Sequence, residues 1–209
     1  MTKEPDIVFV IDDEESVRSS LSLFLKLSKY NVESFESAEN YLARESHSGA
    51  GCIILDVNLS GKSGLDLQEE LINRNSQLPI IFITGFGNIR MSVHALKNGA
   101  VNYLEKPFEK DVILSSVSEA LALSHKLIDE SREIQKAKQL VLKLTPRENE
   151  ILTYILTGLL NKQIAAELNI AEHTVMIHKR HICEKFGVKS VSEIIQIAYQ
   201  SGIQFPEKK

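Results

Sequence analysis

Long apolar runs are missing from this sequence, and so are closely spaced cysteines. No stretch approaches the roughly 20 apolar residues needed to cross a bilayer, which argues against a membrane protein. The opening MTKEPDIVFV has too short an apolar segment, and acids where a signal peptide carries bases, so no secretory leader is expected. The two cysteines, Cys52 and Cys183, lie far apart and match no metal or redox spacing. A reducing cytoplasm is the expected setting. Glycine and proline are absent from Phe108 to Thr145, so nothing in that stretch breaks a helix. Positive charge is scarce in one part only. Residues 1–124 hold 11 Lys+Arg against 18 Asp+Glu, and residues 125–209 hold 13 against 10. This asymmetry indicates two domains with different partners, nucleic acid being the candidate for the second.

What is present in the first 108 residues is an alternation of two periods. Short runs rich in Val, Ile and Phe occur at 7–11, 52–56, 80–84 and 101–106, with a weaker one near 32–35. Between them Val17, Leu21 and Leu25, then Leu67 and Leu71, then Ile89, Val93 and Leu96 repeat at helical spacing. Strands alternating with helices give βαβ units and a parallel sheet, and continuous apolar strands fit a sheet covered on both faces. The breaker-free stretch reads as the last helix of this α/β domain continuing into a helical linker, ~57 Å long if wholly helical. Ser124 and Ser131 interrupt its seam, and the like-charge pairs Asp129/Glu133 and Arg132/Lys136 disfavour it, so a solvated hinge is the alternative. After it, Thr145 and Glu148 form a capping-box pattern with Pro146 at the first helical position. Helices are expected at about 161–168, 172–186 (closed by Gly187) and 190–201, which makes a small all-α domain. The expected boundaries are 1–123, a linker at 124–142, and 143–209.

The strand ends carry the chemistry. Strand one ends in Asp12-Asp13, strand three in Asp56, strand four in Thr84 and strand five in Lys106. In an open parallel sheet these carboxyl ends line one crevice. Three carboxylates there repel one another unless a cation sits between them, and an all-oxygen set suits Mg²⁺. A lysine and a hydroxyl opposite are what a phosphoryl group needs. Asp56 is then a candidate nucleophile for phosphate. Acids at strand ends are often mere solvated caps, but with Asp56, Thr84 and Lys106 in register that reading loses ground.

The stretches VIDDEESVR, IILDVNLSGKSGLDL, IIFITGFG and ALKNGAVNYLEKPF resemble the receiver domain of two-component response regulators. LTPRENEIL, NKQIAAELNI and TVMIHKRHICEKFGV resemble the LuxR-type helix-turn-helix domain, so the chain is similar to the NarL/FixJ class of regulators, in the style of FixJ and StyR. The resemblance implies a flavodoxin-like, doubly wound five-stranded parallel sheet, a linker helix and the small all-α domain. It implies Asp56 as phosphoacceptor, Asp12 and Asp13 as metal-site acids and the backbone carbonyl of Asn58 as a further ligand. Thr84 matches the switch hydroxyl, Lys106 the phosphate-binding lysine and Tyr103 the aromatic that changes rotamer. Lys106-Pro107 matches a bond commonly cis in receivers. Ser60 stands where the family often has proline, and Asn58 and Phe86 occupy positions that tune dephosphorylation in relatives.

In the second domain Val175, His178, Ile182 and Phe186 fall on one side of the helix at 172–186, and His173, Met176, Ile177, Arg180 and Glu184 opposite. An exposed Arg180 flanked by Lys179 and Lys185 suits major-groove entry, with Lys162 of the preceding helix near phosphate. Relatives often carry lysine at Met176, where a thymine methyl is the apolar alternative, and a serine cap at Ala171. The histidines and Cys183 are spread around the helix and form no metal set. The expected partners are a sensor histidine kinase, a two-half-site DNA operator, a second copy of the chain on phosphorylation, and RNA polymerase. Two other readings are a phosphatase with an aspartyl-phosphate intermediate, which lacks a second acid at Asn58, and a DNA-binding protein independent of phosphorylation. No enzymatic activity is expected.

Overall fold

The structure is a computed structural model that describes residues 5–85 and 89–202. The chain divides into two compact units, Met1–Ile128 and Asp129–Lys209. The division falls inside the segment read as linker.

The first unit is a five-stranded parallel sheet of order β2-β1-β3-β4-β5, with β1 Ile7–Ile11, β2 Asn31–Phe35, β3 Gly51–Asp56, β4 Ile80–Thr84 and β5 Asn102–Glu105. The central strands β3 and β4 are buried along their whole length, hence their unbroken apolar runs. Side chains alternate between two cores. Phe9, Ile11, Ile53, Leu55 and Phe82 face α2 (Ala38–Ala43), α3 (Gly64–Asn73) and α4 (Ile89–Lys97). Val8, Val10, Ile54, Ile81 and Ile83 face α1 (Glu15–Leu27) and the start of α5. The strand order reverses direction between β1 and β3. There the register pairs Ile11 with Leu55, so the next residues, Asp12 and Asp56, emerge side by side.

Helix α5 runs unbroken from Lys110 to Leu142. Both features that argue against a helix here have a counterweight. Ser124 is buried and its hydroxyl accepts the Gly51 N–H at 3.1 Å, tying the helix to the start of β3. The like-charge pairs are offset by i,i+3 ion pairs, Arg132–Asp129 at 3.5 Å and Lys136–Glu133 at 2.6 Å, each exposed and worth only about 0.2–0.5 kcal/mol.

The second unit packs α6 (Pro146–Leu156), α7 (Asn161–Leu168), α8 (Glu172–Phe186) and α9 (Val191–Gln200) around Ile151, Leu152, Ile164, Val175, Ile182 and Ile194. Thr145 and Glu148 form the reciprocal capping box at α6, with Pro146 just inside it. Asn169 (φ 49°) and Gly187 (φ 69°) end α7 and α8 in the left-handed region.

One glycine fixes how α3 meets the sheet. The Gly64 N–H donates to Val57 O at 3.0 Å, and a Cβ there would lie 2.2 Å from the carbonyl oxygen of Asp56. Any side chain must push α3 off β3 and open the loop 57–63. Gly64→Ala is expected to cost about 1–3 kcal/mol in urea denaturation. Gly85→Ala, whose methyl meets nothing within 4 Å among the described residues, should change little.

Candidate functional site

At the carboxyl edge of the sheet the Lys106 ammonium sits between two acids, 2.7 Å from Asp12 Oδ2 and 3.0 Å from Asp56 Oδ2. Asp12 is fully buried and Asp56 is 4% exposed. Two ionised carboxylates in such a place are costly without a positive partner, and Lys106 supplies it. Burial pushes the Asp12 carboxyl above its ordinary range, and the hydrogen bond and charge of Lys106 recover only part of that. For Lys106 the balance is opposite: burial alone would lower its pKa, but its two acid partners hold it above the usual value. Carboxylate oxygens of Asp12, Asp13 and Asp56 lie within 4.8 Å of one another, an all-oxygen set that fits a hard divalent cation.

Neighbouring backbone fixes this cluster. Asp12 Oδ1 accepts the Glu14 N–H at 2.9 Å, and Asp56 Oδ1 accepts the Asn58 N–H at 3.2 Å. Arg18 donates to the carbonyls of Asp12 (2.7 Å) and Asp13 (3.2 Å), bracing the turn that presents both acids. The sequence reading assigned Arg18 no role, although it lies within the receiver-like VIDDEESVR stretch. Asp13 turns its Oδ2 to Ser60, taking the N–H at 3.0 Å and the hydroxyl as well. That hydroxyl holds the Asp13 carboxyl below its ordinary range.

Thr84 is fully buried, and its hydroxyl accepts from Asn58 Nδ2 at 3.3 Å. The Lys106 N–H donates to the Thr84 carbonyl at 2.7 Å, and the Lys106–Pro107 bond is cis. Tyr103 packs its ring on Phe82, centroids 6.2 Å apart, and its buried hydroxyl meets no hydrogen-bond partner among the described residues. Phe86 lies outside the described residues.

In the second unit α8 is divided as its periodicity foretells. Val175, Ile182 and Phe186 are buried and His178 half-buried, whereas His173, Met176, Ile177, Arg180 and Glu184 are exposed. Arg180 pairs loosely with Glu184 at 3.3 Å, both open to solvent. Lys162 is exposed on α7. The two flanking lysines are engaged within the unit. Lys179 is half-buried, donates to Asn161 Oδ1 at 2.9 Å, and has its pKa lowered by burial. Lys185 reaches the Lys143 carbonyl at 3.1 Å and Glu148 Oε2 at 2.6 Å. Glu148 is itself buried. Burial alone would raise its pKa, but Lys185 and the Thr145 cap outweigh this and hold it below the ordinary range. At Ala171 no side chain caps α8.

The raised pKa of Asp12 has a measurable sign. The folded protein holds that proton more tightly than the unfolded chain, so the penalty of its charge is absent below the ordinary value of 3.8 and grows as pH rises through the folded value. Asp12→Asn is therefore expected to exceed the parent in stability by roughly 1 kcal/mol at pH 7 in EDTA. The advantage should shrink as the pH falls towards 4 and as a divalent cation is added, both read by urea denaturation.

The model of the response regulator receiver domain matches residues 8–118, and that of the bacterial regulatory proteins of the luxR family matches residues 142–198. Nodulation protein W of Bradyrhizobium diazoefficiens is 41% identical over 197 residues, covering 94% of this chain and 87% of that protein. Response regulator protein TodT of Pseudomonas putida is 36% identical over the same shares of each chain. Among solved structures, the response regulator StyR superposes with a TM-score of 0.82 at 37% identity, over 94% of this chain and 99% of that one. Both halves of the molecule thus have their counterparts in one order, and the chain belongs to the NarL/FixJ family of response regulators, two-component transcription regulators that join a receiver to a LuxR-type DNA-binding domain.

Proposed function

We propose that this regulator is switched by phosphorylation of Asp56 and reads DNA with α8. The observation that carries the first half is the ammonium of Lys106 set between the buried acids Asp12 and Asp56. An Asp56 oxygen attacks the phosphorus of a phosphohistidine on a sensor kinase; the P–N bond breaks and the histidine leaves. Lys106 moves from pairing a carboxylate to pairing a phosphoryl oxygen, and the Thr84 hydroxyl donates to another. Asp12, Asp13, Asp56 and the carbonyl of Asn58 would hold Mg²⁺, which when bound offsets the charge gathered there. The chain acts as phosphate acceptor rather than as a phosphatase.

Turning Thr84 towards the phosphoryl group frees space for Tyr103. Its buried hydroxyl has no partner among the described residues, and such a group costs about 1–3 kcal/mol, the same size as a typical coupling free energy between sites. A small bias is therefore enough to change its rotamer. The face this would alter carries exposed apolar side chains on α4, Ile89 at 83%, Val93 at 45% and Leu96 at 46%. A second copy of the chain is the partner proposed for that face. Two output domains then engage two half-sites of an operator.

Labelling with acetyl phosphate and Mg²⁺ tests the first half. The parent is expected to form a stable label on Asp56 with release of acetate, and Asp56→Asn none, because an amide is not a carboxylate nucleophile. Labelling of the variant at the parent rate would sink the assignment, and steady phosphate release would favour a phosphatase.

For α8, Arg180→Ala should cost about 1–3 kcal/mol on the cognate operator and relax preference at one position per half-site. Met176, 54% exposed, is suited to a thymine methyl. Replacing that thymine by deoxyuridine should weaken the parent by about 0.8 kcal/mol, one methyl-sized contact. A Met176→Ala variant should not feel the exchange. Binding unaffected by any of these changes would remove α8 as the reading element.

A further inference from the structure

Asp13 differs from its two acidic neighbours in what holds it. Asp12 and Asp56 share the Lys106 ammonium, whereas Asp13 meets two donors from one residue, the N–H and hydroxyl of Ser60, both on Oδ2. Ser60 lies 47 positions away, on the loop that leaves β3 after Asp56. That loop is closed at its far end by the seating of Gly64 against the Asp56 carbonyl. Ser60 therefore presents its donors from a segment anchored at the phosphoacceptor itself.

We infer that Ser60 is a positioning residue for the cation of the acidic cluster: its hydroxyl and N–H both hold Oδ2 of Asp13, and so fix a carboxylate that has an oxygen within 4.8 Å of those of Asp12 and Asp56. This rests on the proposed reading of that cluster as a Mg²⁺ site. Without the clamp, repulsion from two neighbouring carboxylates favours rotamers that swing Asp13 outward into solvent, and binding must first reverse that swing. With it, the carboxylate is preset, and hydrogen-bonded partners of metal ligands are generally worth about 10–100-fold in affinity. A proline at this position has neither a hydroxyl nor an N–H to give. The loop of this chain thus supplies a contact that a proline-bearing loop lacks.

The test is the stabilisation of the full-length protein by Mg²⁺ alone, read as the urea midpoint across a Mg²⁺ titration that yields an apparent Kd. Ser60→Ala keeps the N–H bond and removes the hydroxyl. It is expected to raise the Kd about tenfold while leaving the midpoint in EDTA near that of the parent, and Ser60→Thr should restore the parent Kd. A merely structural serine would move the EDTA midpoint and leave the Kd alone. A Ser60→Ala variant that binds Mg²⁺ as tightly as the parent, or tighter because the hydroxyl competes with the metal, overturns the inference while the Mg²⁺ site stands. No Mg²⁺ dependence in the parent overturns both.

Discussion

The carboxyl edge of the sheet depends on one lysine meeting two buried acids. Without Lys106, Asp12 and Asp56 would be like charges shielded from water and set side by side by the β1–β3 register. The sheet cannot relieve this by shifting, because a one-residue slip would exchange the β1 and β3 side chains between two close-packed cores. Repulsion is thus built into the topology and offset locally. On the proposed reading, the same arrangement would make the site responsive, since an incoming anion would compete for the ammonium and an incoming cation would compete to replace it.

Around that pair the fold uses backbone more than side chains to fix positions. Arg18 grips two carbonyls, Glu14 and Asn58 offer N–H groups, and Lys106 is held through its own N–H to the Thr84 carbonyl. The functional groups are therefore set by strand ends and turns, while their tips remain able to exchange partners. Thr84 and Tyr103 illustrate the difference. Both are anchored on β4 and β5, yet the Tyr103 hydroxyl meets no hydrogen-bond partner among the described residues.

Most of the architecture was legible in the residues, for an identifiable reason. Strands buried on both faces need unbroken apolar runs, and each run ended in the polar residue that the parallel sheet then carried to one edge. The division of α8 into a buried and an exposed face followed from helical spacing alone. Side-chain pairings between distant segments were not legible. Ser60 with Asp13 spans 47 positions, Lys185 with Glu148 spans 37, and Gly51 with Ser124 spans 73. No periodicity encodes such pairs, because they exist only once tertiary distances are set. The helix through 129–136 was obscured for another reason. Its same-sign i,i+4 neighbours argue against a helix, while its opposite-sign i,i+3 neighbours favour one.

The engagement of Lys179 and Lys185 reaches beyond the second unit's own stability. A cation already committed to Asn161, or to a buried glutamate and a carbonyl, is a poor neutraliser of phosphate. Each contact it does not make is a counterion that stays on the duplex, removing about 0.9 from the slope of log affinity against log salt. With α8 in the groove, neutralising phosphate would fall to other exposed cations such as Lys162. On the proposed reading, a single output domain would make fewer phosphate contacts than its count of basic residues alone implies.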